Sequence, residues 1–227
     1  MEKKKRRWGD RKDGVLLRDL DGMHFITPLI YPNRCDNEAY ISETIDLTNI
    51  NAYLKQKNET ETEFPYTMFH LIVAALIKTI TLRPKMNRFI ANKNFYQRNE
   101  VSASFVVKKQ FADNAAEALA VVHAKDDSTL DTLHEDLRHQ ILDCRDVNKV
   151  DSSTDSMDMF NRMPRWLGKF IVWILTRLDV HGIVPASLIE TDPYYCSVVL
   201  SNLGSIKLKS GYHHLTNSGT CSIFCII

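Results

Sequence analysis

Three short stretches carry side chains that could do chemistry. The first is His134-Glu135-Asp136-Leu137-Arg138-His139, which misses a zinc-binding H-E-x-x-H helix by one residue. That motif works because two histidines four apart share one helical face. Five apart, they point about 140° away from each other on a helix. These two therefore read as solvated surface residues, and no metal is expected. The second stretch is His213-His214-Leu215-Thr216-Asn217-Ser218-Gly219, two imidazoles before a polar turn that contains glycine. A histidine titrating near about 6.5 is a natural general base for a thiol or hydroxyl. The third is Ser201-Asn202-Leu203-Gly204, at the end of the apolar run Ser197 to Leu200. A hydroxyl at a strand end can donate a hydrogen bond to a developing oxyanion. The five cysteines (Cys35, Cys144, Cys196, Cys221, Cys225) show no zinc-type pairing and read as reduced thiols. Only Cys221 and Cys225 lie close, and in a strand they would share a face.

These groups must be held by regular elements, and hydrophobic periodicity places those elements. Glu38 to Leu47 alternates, with Ala39, Ile41, Ile45 and Leu47 on one parity, as in a half-buried strand. Leu47 to Lys57 reads as a short helix capped by Thr48. Pro65 to Leu82 is the strongest helix, with Pro65 in its first turn and Pro84 stopping it. It is apolar nearly all round, which predicts burial at the centre of a domain. Strands follow at Phe95-Tyr96, Val101 to Lys108 and Ala118 to Ala124. In the second of these, Val101, Ala103, Phe105 and Val107 share a face. Leu130, Leu133, Leu137, Ile141 and Cys144 then form one helical stripe, with Ser128 and Asp131 as its capping box. Asp146 to Asp158 reads as a polar loop. Pro164 opens a helix over Arg165–Leu178 whose broad apolar face, with Trp166 and Trp173, is either core or a subunit interface. Strands close the chain at Cys196 to Leu200 and Cys221 to Ile227. The mixture predicts an α+β two-layer sandwich, a mixed β-sheet with helices on one side.

Composition narrows the function. Over 227 residues the net charge is only +1, which excludes a nucleic-acid binder that works by overall basicity. The apolar fraction of 44% excludes disorder for most of the chain. Charge is uneven. Residues 1–13 carry +4 and read as a basic N-terminal tail, leaving −3 for the domain at 14–227. Such a tail is either solvated or drawn to an anionic surface, so a membrane surface is a possible though weak partner. The start is charged, without the apolar region of a signal peptide. Trp166 to Leu178 is shorter than the roughly 20 residues of a bilayer span. A cytoplasmic location is expected.

Several segments together resemble one family. Ser197-Val198-Val199-Leu200-Ser201-Asn202-Leu203-Gly204 resembles the S-N-L-G segment of the acyltransferase catalytic domains of 2-oxo-acid dehydrogenase complexes. Phe69 to Ile80, followed by Arg83-Pro84-Lys85-Met86-Asn87-Arg88-Phe89, resembles the central helix and turn shared with chloramphenicol acetyltransferases. Val101 to Lys109 resembles the next strand, and Asp127 to Ile141 the next helix. The resemblance runs from about Pro28 to the end. It implies a coenzyme A-dependent acyltransferase that works as a homotrimer, with acyl-coenzyme A and a small thiol, hydroxyl or amine acceptor meeting between subunits. A histidine takes the acceptor's proton, and a serine matching Ser201 stabilises the oxyanion.

One departure matters. The family's base sits in H-x-x-x-D-G, well beyond the serine motif. That pattern is absent here, and 26 residues follow Ser201. His214 to Gly219 imitates its spacing, with Ser218 in the aspartate's place, so His213 and His214 are the weaker candidates for the base. The apolar end at Cys221 to Ile227 predicts an open strand edge and a domain incomplete at its C-terminus. Weak or no activity is expected of these 227 residues. The alternative is a non-catalytic assembly or binding protein on the same fold.

Overall fold

The computed structural model describes residues 6–61, 63–108, 117–125, 127–146, 162–209 and 211–227. In chain order the elements are β1 (Gly14–Leu16), α1 (Gly22–Ile30), α2 (Thr48–Lys57), α3 (Met68–Leu82), β2 (Arg88–Ala91), β3 (Asn94–Arg98), β4 (Ser102–Lys108), β5 (Glu117–His123), α4 (Leu130–Arg145), α5 (Arg165–Val180), α6 (Ala186–Thr191), β6 (Val198–Ser201) and β7 (Ile223–Ile226). Two sheets result. The larger is mixed, in the order β5-β4-β6-β7. β5 runs antiparallel to β4, while β6 and β7 run parallel to it. The smaller is antiparallel, in the order β1-β3-β2, which the sequence did not separate from the first.

The alternation in β4 decides the core. Ala103, Phe105 and Val107 all point to one face of the larger sheet. There they meet Val73, Ile77 and Ile80 of α3, and Leu133 and Leu137 of α4. Ala120 and Val122 of β5, with Val198 and Leu200 of β6, complete the layer. Fully burying each such aliphatic side chain is worth about 1.5–3 kcal/mol. The register places Phe105 beside both Ala120 and Leu200, so the widest side chain of β4 sits over the middle of the sheet. The architecture is the expected α+β sandwich, with α3 and α4 on one side of a mixed sheet.

Several local expectations are corrected. Glu38 to Leu47 forms no strand. Its alternation is real, but residues 37–43 stand across a cavity from the open edge of β7 and pair with no described strand, and its apolar side chains stay exposed. α3 begins at Met68 with Thr67 as its cap, so Pro65 precedes the helix. It buries one face only. Leu71, Ile72 and Ala75 instead line an open groove of about 410 Å³ with Ile45, Leu47 and Tyr53. Thr129, whose hydroxyl accepts from the Thr132 N–H at 3.2 Å, caps α4 in place of Ser128. Thr48 is the first residue of α2 rather than its cap, and its N–H donates to the Asp46 carboxylate at 2.9 Å. All but Asp146 of the loop read at Asp146 to Asp158 lies outside the described residues.

α5 is not core. None of its residues is buried, and Trp166 and Trp173 are 70% and 56% exposed. Its C-terminal end is held by the basic segment, which from residue 6 onward is not a free tail. Arg11 is buried and pairs with Asp13 (2.9 Å) and Asp179 (2.7 Å), while Lys12 donates to the Val184 carbonyl at 2.8 Å. No helix among the described residues is long and apolar enough to cross a membrane.

Candidate functional site

Ser201 is the last residue of β6, between β4 and β7. Its carbonyl accepts the Ile227 N–H at 2.9 Å, which ends the ladder with β7. The chain then turns sharply. Asn202 accepts the Ser205 N–H on Oδ1 at 3.1 Å, the Ser205 hydroxyl returns to the Asn202 carbonyl at 2.7 Å, and Gly204 donates to the Ile227 carbonyl at 3.0 Å. S-N-L-G is thus a braced strand exit. It leaves the Ser201 hydroxyl without a hydrogen-bond partner among the described residues, in the wall of a cavity of about 230 Å³. Phe69, Phe105, Ile141 and Leu200 give that cavity an apolar floor, and Lys108 and Arg145 add two cations. A hydroxyl over an apolar floor can hold an oxyanion where competing water is scarce.

The two histidines of the second motif lie elsewhere. His213 stacks flat on Phe224 of β7, with centroids 4.1 Å apart. Its Nδ1 donates to the His214 carbonyl at 2.6 Å, so the neutral ring carries its lone pair on Nε2, as a base requires. His214 Nδ1 lies 2.8 Å from Glu38 Oε2 and 2.7 Å from the Tyr40 hydroxyl. A carboxylate on Nδ1 orients an imidazole, but this ring stands mostly in solvent. His213 lines a larger cavity of about 570 Å³ along β7, bounded by residues 37–43. The cavity of His213 and that of Ser201 share no lining residue, and His214 lines neither. The sequence offered no sign that Glu38 and Tyr40 would partner His214, because their pairing spans 174 residues or more.

Gly219 does have a fixed role. Its φ is +75°, and a Cβ there would stand 2.6 Å from the Tyr194 carbonyl oxygen. Gly219→Ala is expected to destabilise the fold by at least about 2 kcal/mol in denaturant unfolding. Gly168→Ala, with open space around it inside α5, should instead stabilise by up to about 1 kcal/mol. Equal effects would show that the Gly219 turn is not constrained.

The near-zinc stretch is resolved differently from its expectation. His139 is exposed, but His134 is buried, stacked on Tyr66 at 3.7 Å and hydrogen-bonded through Nε2 to the Phe64 carbonyl at 2.8 Å. Its neighbour is His70 of α3, 4.9 Å away between centroids. Burial, with a smaller contribution from His134, lowers His70 from its ordinary 6.5 to about 4. Among the described residues, no three histidines, cysteines or carboxylates converge to hold a metal ion.

No protein-family model and no curated protein matches the sequence. Solved structures do. The probable dihydrolipoamide acetyltransferase of Listeria monocytogenes 4b F2365 aligns over 92% of this chain and 73% of its own, at 12% identity and a TM-score of 0.52. The cubic core of the pyruvate dehydrogenase multienzyme complex and a dihydrolipoamide acetyltransferase of Azotobacter vinelandii each align over 80% of this chain and 58% of theirs. Both are 14% identical, with TM-scores of 0.49 and 0.48. The chain therefore spans less than two thirds of the length of those two. The layered sheet, the two helices on one face and the overlay on the Listeria protein agree: the chain has an acyltransferase-type fold, like that of dihydrolipoamide acetyltransferase.

Proposed function

We propose that this fold serves acyl transfer between coenzyme A and a small thiol, hydroxyl or amine acceptor, with Ser201 as the oxyanion donor. The observation that carries this is the unpartnered Ser201 hydroxyl at a braced strand end, over an apolar floor with Lys108 and Arg145 beside it. The thioester carbonyl would lie near Ser201, and Lys108 would meet a phosphate of coenzyme A. His213, with its lone pair on Nε2, is the better candidate for the base, and His214 the second. Neither lines the Ser201 cavity within one chain, so a single chain transfers acyl groups slowly or not at all.

Coenzyme A titrated into the full chain should bind saturably, and Lys108→Ala should weaken it roughly tenfold. An absence of binding at millimolar coenzyme A would refute the proposal. Saturable binding without transfer to any thiol, alcohol or amine would favour the second reading, a non-catalytic assembly or binding protein. That reading has one observation in its favour, that neither histidine lines the Ser201 cavity.

The proposal includes a homotrimer, as the sequence resemblance implies. The apolar side chains left in water on α1, on residues 40–47 and on α5 support it, since patches of that extent mark contact surfaces. Light scattering should give three times the chain's 26.1 kDa. A monodisperse monomer at micromolar concentration would refute the trimer.

A further inference from the structure

The cysteines looked scattered in the sequence, with only Cys221 and Cys225 near each other. The structure turns those two apart. Cys225 packs toward the helical core, while Cys221 lies on the opposite face, because the regular pleat of β7 starts only at Ile223. The pair that meets is Cys196 and Cys221. Both lie two residues before the paired Val198 and Ile223, where the parallel strands β6 and β7 begin to run side by side. The Tyr194 carbonyl accepts both the Thr220 and the Cys221 N–H at 2.8 Å, which pins the two segments together. The thiols are hydrogen-bonded to each other, 1% and 2% exposed, within one small cluster with Val199.

Their surroundings are not those of inert core cysteines. Arg98 is buried beside them, donating to the Tyr195 carbonyl (3.1 Å), the Thr220 hydroxyl (3.1 Å) and the Thr220 carbonyl (2.7 Å). Its charge favours a thiolate at either sulfur. The bond from Cys196 brings Cys221 down to about 7 against the opposing effect of burial, while Cys196 is pushed up by the same bond and by burial. Beside the Arg98 charge, the shared bond thus favours ionisation at Cys221 over Cys196. Cys196 also stands in the wall of a polar cavity of about 380 Å³, with Arg98, His123 and Asp192. A small oxidant entering there would reach the wall that Cys196 forms.

We propose that Cys196 and Cys221 form a dithiol that hydrogen peroxide oxidises reversibly to a disulfide. Cys221 first loses its proton to water, and the Cys196 proton then passes to the Cys221 thiolate through the shared hydrogen bond. The Cys196 thiolate attacks one peroxide oxygen, the O–O bond breaks, and the leaving hydroxide takes up a proton as water. The Cys221 sulfur then attacks the Cys196 sulfenic acid, forming the S–S bond and releasing a second water with the Cys221 proton. Two thiols and one peroxide thus give one disulfide and two waters. The bond would staple the root of β6, five residues before Ser201. It rests on none of the acyl-transfer argument.

The test uses the intact chain. Reduced protein treated with a small excess of hydrogen peroxide should lose two hydrogens by mass spectrometry. A non-reducing digest should then link the peptides that hold Cys196 and Cys221, and dithiothreitol should restore the starting mass. Cys196→Ser and Cys221→Ser should each lose no hydrogens. No mass loss in the wild-type chain, or a link through any other pair, overturns the proposal without depending on whether a variant folds.

Discussion

Replacing Ser201 with alanine is expected to lower acyl-transfer turnover by about a hundredfold or more, with little change in coenzyme A binding. The hydroxyl is the only group lost, and no hydrogen bond of the fold among the described residues uses it. The strand exit it belongs to is braced by Asn202, Ser205 and Gly204, so the backbone should stay in place. A donor aimed at charge that develops only in the transition state affects kcat rather than the ground state. Removing one such donor typically costs about 3–4 kcal/mol. Steady-state kinetics in an assembly that turns over would show this as a fall in kcat with KM nearly constant. An unchanged kcat in an active preparation removes Ser201 from the mechanism.

Acidification from pH 7 to about 4.5 should cost the fold roughly 2–3 kcal/mol through His70 alone. The sign follows from which state binds the proton. In the unfolded chain His70 protonates near its ordinary 6.5, but in the fold it stays neutral down to about 4. Between those values the unfolded state holds the extra proton, so stability falls as pH falls. The cause is burial among Phe64, Tyr66, Phe69 and the second imidazole of His134. In the fold His70 Nδ1 accepts the Thr67 N–H at 2.9 Å, a bond that protonation would break. Two other groups modify the slope. His123, raised mainly by its bond to Glu100, adds stability below its unfolded pKa and loses it as pH rises. Asp131, lowered by Lys57 and Tyr66, loses its contribution only at still lower pH. Urea unfolding at pH 7 and pH 4.5 measures the difference. His70→Asn keeps an acceptor near Nδ1 and cannot titrate, so its stability should vary much less over the same range. If the variant follows the wild-type curve, His70 is not the group responsible.

Much of this was legible in the chain itself, and where it was not the reason is physical. The faces of β4 and α4 were readable because alternation and the three-four repeat are local, and burial enforces both over consecutive residues. Ser201 could be placed at a strand end for the same reason, since an apolar run followed by Asn-Leu-Gly is a local signal. Glu38 to Leu47 carries an equally good alternation and forms no strand, because a strand also needs a partner edge. That edge must come from residues remote in sequence, and here the open edge of β7 stands across a cavity from residues 37–43. α5 has the composition of a core helix and buries nothing, because only the positions of other elements decide which apolar face is covered.

The candidate site divides along the same line. By itself the sequence determined the layered α+β class, the core stripes, the strand carrying Ser201 and the residue types available for catalysis. Only the tertiary structure decided that Ser201 and His213 open into separate cavities, that Glu38 holds His214, that His70 and His134 share a buried pocket, and that Cys196 rather than Cys225 meets Cys221. Local periodicity records which side of an element faces apolar neighbours. It holds no record of which distant segment will stand there, because that is settled by packing and register over the whole chain.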